Sequence, residues 1–290
     1  MPGINLFNMS KINELEEIAS QVRRDILRMV HYAGCGHPGG SIGCADFMTA
    51  LYFHQMKHDS NFKLDGKNED VFILSNGHIS PVFYSVLARS GYFPLDELKT
   101  FRKLGTRLQG HPATLEGLPG VRIATGSLGQ GLSVSIGSAL SKKLNNDKRF
   151  VYCLMGDGEL QEGQNWEAIM FAAHHKVDNL VVAVDHNHKQ IDGDTDDVIG
   201  LGDLNAKWHA FGWDVLNVDG NNMETLVETL KLATERTGKG KPIVIIMKTI
   251  MSKGVDFMED KHQWHGVAPN DEELEKALAQ VPETLGDFNI

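Results

Sequence analysis

Two rhythms of apolar and polar positions trade places along the chain. Over residues 10–33, Ile12, Leu15, Ile18, Val22, Ile26, Met29 and Ala33 recur at three- and four-residue spacings. That spacing predicts a long amphipathic helix with Ser10 as its N-cap. Helical spacing or a helical look returns at about 46–55, 81–90, 95–104, after Gly131, at 162–175 and at 223–236. Between these segments lie short apolar runs at 70–75, 151–155, 180–184, 213–218 and 242–249, with the length and make-up of strands. A closing helix opens on Asn270 with Glu273 at its third position, a capping box, and continues with Leu274, Leu278 and Val281. Strand and helix in alternation predict an α/β protein, a doubly wound and mostly parallel sheet with helices on both faces. No linker, repeat or low-complexity tract divides residues 1–290, which read as one domain.

The densest chemistry lies in residues 150–193. One apolar run ends in Gly156-Asp157-Gly158, a helix follows, and the next run ends in Asp185-His186-Asn187. A strand–helix–strand unit with a right-handed crossover makes the two strands parallel, so Asp157 and Asn187 meet at one edge of the sheet. That edge, at the carboxyl ends of the strands, is where open α/β sheets bind ligands. A carboxylate and an amide oxygen suit Mg²⁺, which takes one or two protein carboxylates and completes its shell with phosphate oxygens. A plain Gly-Asp-Gly turn is the simpler alternative, and the full strand–turn–helix–strand context favours a metal–diphosphate site.

Histidines punctuate other loops. His37 sits in Gly34-Cys35-Gly36-His37-Pro38-Gly39-Gly40, which is expected to break the first helix. His78 follows the strand at 70–75, and His111 lies in Gln109-Gly110-His111-Pro112. The loop Gly126-Ser127-Leu128-Gly129-Gln130-Gly131 feeds a helix N-terminus, a ready anion site, but lacks the lysine of a P-loop and the spacing of a dinucleotide fingerprint. His262 and His265, three apart, have the spacing of zinc ligands, with no third ligand nearby in sequence.

These motifs resemble those of the transketolase family, over about residues 18–269. GDGELQEG with DHNHKQIDG resembles the family's thiamine-diphosphate motif; GHPGG, LSNGHIS, the GHP of residues 110–112, GSLGQG and the HQWHG stretch resemble its other pocket loops. The resemblance implies thiamine diphosphate with Mg²⁺ (Ca²⁺ or Mn²⁺ in substitution). It places the metal on Asp157, Asn187 and the main-chain carbonyl of Lys189, where the family usually carries an apolar residue and where the lysine ammonium could help neutralise phosphate. It implies cofactor contacts from His78, Gly126, Ser127, Leu128, Gly156, Gly158, Glu159 and His262 beside Asp157 and Asn187. His37, His78, His111 and His262 would be the catalytic imidazoles, and Glu162 would lie near a subunit interface. The implied reaction moves a two-carbon ketol unit from a ketose, expected to be phosphorylated, to an aldose. The family's pyrimidine-binding and C-terminal domains are expected to be absent from this chain. The expectation is therefore an N-terminal subunit of a split transketolase, active only with a separately encoded C-terminal subunit in an α2β2 assembly. A specialised sulfonated or branched sugar phosphate, a non-catalytic scaffold, and a Mg²⁺ phosphohydrolase with Asp157 as nucleophile are the competing readings.

Composition narrows this only at the edges. A net charge of −10 argues against nucleic acid as a partner. Three cysteines without CxxC spacing fit a reducing cytoplasm, and no apolar run is long enough to predict a membrane span.

Overall fold

A computed structural model describes residues 6–290. Helix α1 (Leu6–Ala33) is already helical before Ser10, so Ser10 lies within it rather than capping it; no Gly or Pro between residues 4 and 33 offers a stop. Gly34, at φ +65, ends it. The expected glycine loop then departs from expectation, because residues 38–43 form a short helix, α2 (Pro38–Gly43). Proline suits a first helical turn, where its missing N–H is no loss. Its glycines let the backbone lie against Met251 and the Trp264 carbonyl, which a Cβ at Gly39 would meet at 2.8 Å. Helix α3 (Ala45–Ala50) runs on into a π turn over Leu51–Gln55.

Strand β1 (Val71–Leu74) leads to α4 (Ser80–Arg89). The helix expected at 95–104 is only a 3-10 turn, Leu95–Thr100, cut short by left-handed backbone at Arg102 and Gly105. Then follow α5 (Gln130–Leu144), β2 (Val151–Gly156), α6 (Gly163–His174) and β3 (Leu180–His186). A small antiparallel hairpin, β4 (Lys189–Gln190) with β5 (Gly193–Asp194), precedes α7 (Thr195–Ile199) and α8 (Leu204–Ala210). The chain continues through β6 (Asp214–Asp219), α9 (Met223–Arg236), β7 (Ile243–Lys248) and α10 (Asp271–Gln280), which carries the capping box of Asn270 and Glu273.

The sheet has the order β1-β2-β3-β7-β6, and every pairing is parallel. Alternate strand residues enter two separate cores, as the period-two geometry of a strand requires. Phe72, Leu74, Tyr152 and Leu154 face α1, α3, α4 and α9, while Ile73, Cys153, Met155 and Val182 face α5, α6 and α8. Burying both faces is why the strands read as continuous apolar runs. All the carboxyl ends therefore share one rim, and that rim carries the candidate chemistry. Among the described residues no helix is long and apolar enough to cross a membrane.

Candidate active site

The tips of β2 and β3 stand side by side, with Gly156 opposite Asp185. Asp157 is only 2% exposed. Its Oδ1 accepts the Gly158 N–H at 2.7 Å and its Oδ2 accepts the His188 N–H at 2.7 Å, and among the described residues no cationic side chain pairs with it. Burial, then the nearby Asp185 carboxylate, pushes its pKa up to about 7. Asn187 donates from Nδ2 to Asp185 Oδ2 at 2.8 Å and accepts the Lys189 N–H on Oδ1 at 2.8 Å. Asp185, itself 2% exposed, also accepts from the Thr249 hydroxyl. Asp157, Asp185 and Asn187 line one cleft of about 330 Å³. Two buried carboxylates without a counter-ion, beside an oriented amide, are a donor set that a hard divalent cation satisfies.

Lys189 also borders this cleft, but its ammonium is held by Asp194 at 2.8 Å and Asp260 at 3.3 Å. The expected help in neutralising phosphate is thus already claimed by protein carboxylates.

A second layer fixes the loops. Glu159, 2% exposed, accepts the Gly129 N–H at 2.8 Å, the Gly156 N–H at 3.2 Å and the Ser75 hydroxyl. One carboxylate thereby ties together the ends of β1 and β2 and the start of α5. Gly126, at φ +135, lies so close to the His111 ring that a Cβ would stand 2.7 Å from it. Gly126, Leu128, Gly156, Gly158 and Glu159 are all in the cleft wall; Ser127 is not part of it.

Three of the four expected histidines come together. The rings of His37 and His78 are 5.1 Å apart between centroids, and those of His37 and His111 are 6.5 Å apart. The fourth ring is His265, 5.6 Å from His37 and 5.1 Å from His78. His262, expected as the fourth, lies on the 3-10 turn His262–Trp264 and is not part of the cleft wall. His262 and His265 therefore do not act as a pair, and among the described residues no three His, Cys, Asp or Glu side chains gather as a metal-ligand cluster.

Burial, then the neighbouring rings and Arg102, pulls His37 down to about 4. Burial also lowers His78, His111 and His265, so the cluster is neutral at physiological pH. Nδ1 of His37 and Oδ1 of Asn76 are buried without a hydrogen-bond partner, and both residues line the cleft. Orphaned buried polar atoms call for a ligand or ordered water. Asn76, Asp185, Gln161 and Gln190 were not singled out from the sequence, though all four stand inside motifs quoted for their neighbours.

Residues 15–284 match the family described as the thiamine diphosphate binding domain of transketolase. The chain belongs to the transketolase family. It is 38% identical over 279 residues to an apulose-4-phosphate transketolase subunit from Actinobacillus succinogenes, covering 96% of this chain and 99% of that one. It is 37% identical to a 6-deoxy-6-sulfo-D-fructose transketolase subunit from a Clostridium species, covering 92% and 96%. The crystal structure of Campylobacter jejuni transketolase superposes with a TM-score of 0.87 at 36% identity, over 95% of this chain and 44% of that one. This transketolase chain thus spans the length of the subunit relatives and less than half of the long ones, with 42% of the Pongo abelii transketolase covered.

Proposed function

We propose that this chain is the diphosphate-binding subunit of a split transketolase, working in the cytoplasm with thiamine diphosphate, Mg²⁺ and a separately encoded C-terminal subunit in an α2β2 assembly. The observation that carries the reading is the pair Asp157 and Asn187, at the tips of neighbouring parallel strands in the same cleft as His37, His78 and His265. Bound thiamine diphosphate supplies a nucleophilic ring carbon and an electron sink for carbon–carbon bond cleavage.

This chain's residues do the rest. Asp157, Asn187 and the main chain of Lys189 would hold Mg²⁺, and the backbone at Gly126, Gly156 and Gly158 lets the diphosphate approach closely. The partnerless Asn76 Oδ1 is free to accept a hydrogen bond from the bound cofactor. Neutral imidazoles at His37, His78, His111 and His265 can donate to a developing alkoxide or take a hydroxyl proton near neutral pH. Glu162 is exposed at the cleft edge and would meet the partner chain.

The substrates are an acidic ketose donor and an aldose acceptor. The relatives named for apulose 4-phosphate and for a sulfonated fructose favour a specialised ketose. Ketol transfer measured on this chain by itself, on its partner by itself and on their mixture tests the proposal. Transfer is expected only in the mixture, and turnover by either chain without the other would defeat it.

A further inference from the structure

Among the described residues, Arg102 is the one arginine whose charge this chain leaves unanswered. Every other arginine ion-pairs with an aspartate or glutamate, and Arg102 has no such partner. Its backbone is left-handed, φ +57, which is uncommon for a residue with a side chain. Its N–H donates to the Leu108 carbonyl at 2.8 Å and fixes the turn.

The guanidinium is wedged between two of the histidine loops. On one side it lies against Gly110, where a Cβ would stand 2.7 Å from Arg102 Cζ, and Gly110 directly precedes His111. On the other, Nη1 is 3.9 Å from the Sγ of Cys35, two residues before His37. Cζ sits 5.5 Å from the Phe101 ring, and Nε is buried with no hydrogen-bond partner. Burying part of a permanently charged group without a counter-ion is costly. An external anion on the open Nη side of the guanidinium would supply the missing counter-charge. The cation in the cleft wall, Lys189, is not available for this, since Asp194 and Asp260 already hold it.

We propose that Arg102 is the oxyanion-binding residue this chain contributes to the sugar site, its planar fork of N–H donors taking a terminal phosphate or sulfonate at the mouth of the histidine cluster. Fork geometry fits two oxygens of a tetrahedral oxyanion at once, as it fits a carboxylate. The assignment rests on the reading of the cleft as a sugar-transfer site, and it places part of substrate selection on this subunit.

Methyl phosphate and methanesulfonate, titrated separately into the full chain at low ionic strength, test it. The readout is the Arg102 Nε–H resonance and the ring signals of His37 and His111. At least one probe is expected to give a saturable response, and the probe preferred tells phosphate from sulfonate. Arg102→Met should weaken that response about tenfold or more, with Arg102→Lys in between. Should the methionine variant not fold, Arg102→Gln carries the same expectation. Binding of Mg²⁺–thiamine diphosphate, followed by calorimetry, should be the same in wild type and variants. No saturation in the wild type, or equal affinity in the variants, overturns the proposal. So does an unchanged anion response with weakened association to the C-terminal subunit, which would make Arg102 an interface ion-pair residue. A wild type that binds oxyanions through Arg102 but takes up no thiamine diphosphate would instead refute the cofactor reading and leave this one standing.

Discussion

Replacing Asp157 with asparagine should make the cation-free chain more stable while removing its function. Asp157 is buried and has its pKa raised from 3.8 to about 7, mainly by burial. A carboxyl group whose folded pKa lies above its unfolded value stabilises the fold fully below the unfolded value. That contribution is lost as pH rises through the folded one. At pH 8 the lost contribution amounts to about 4 kcal/mol. Asparagine removes the charge but retains only one acceptor oxygen for the two N–H groups of Gly158 and His188. Leaving one of them facing an amide NH₂ returns about 1–3 kcal/mol of that gain. The variant should therefore gain about 1–3 kcal/mol over wild type at pH 8, whereas near pH 4, where only about 0.5 kcal/mol of the charge penalty remains, the order should reverse and the variant be less stable by about 0.5–2.5 kcal/mol. Urea unfolding in EDTA at both pH values measures this. Saturating Mg²⁺ and thiamine diphosphate should reverse the order at pH 8, since ligand at a thousandfold excess over Kd adds about 4.1 kcal/mol to the wild type alone. A variant less stable than wild type by the same amount at both pH values would refute the reasoning, because Asp157 would then carry no uncompensated charge.

Other substitutions separate neighbouring roles. In the assembled enzyme, His265→Ala should lower kcat/KM roughly a hundredfold or more, while His262→Ala stays within a few-fold of wild type. The reverse ranking would show that His262 swings into the cleft on assembly. Glu159→Ala strands the Gly129, Gly156 and Ser75 donors and should cost about 2–4 kcal/mol in urea unfolding; a loss below about 1 kcal/mol would mean water replaces the carboxylate. Gly126→Ala forces a Cβ towards the His111 ring from a left-handed backbone. It should reduce activity roughly tenfold or more by misplacing that imidazole, and a fully active variant would show that the loop has room to relax.

Much of the architecture was readable from the sequence because its signals are local. The unit β2–α6–β3 announces itself by two apolar runs, a helical stretch and glycine punctuation, and its parallel pairing follows from crossover handedness. Helix α2 was not readable. Proline followed by two glycines reads as a breaker, and only close packing against Met251 and the Trp264 carbonyl overrides that weak propensity. The choice between His262 and His265 also lay beyond the sequence, since spacing does not say which way a 3-10 turn presents its ends. Glu159 stands inside a quoted motif, yet its bracing role needs three chain segments brought together. Arg102 gave no local sign at all, because the lack of a counter-ion is a property of its whole surroundings.

The account depends most on a divalent cation joining Asp157 and Asn187 to the diphosphate. Thiamine diphosphate titrated by calorimetry into this chain with its C-terminal partner, in Mg²⁺ and again in EDTA, tests that link directly. The account predicts one saturable site per chain in Mg²⁺, lost in EDTA and lost in Asp157→Ala even with Mg²⁺ present. Binding that persists in EDTA, or survives the alanine substitution at wild-type affinity, would contradict it.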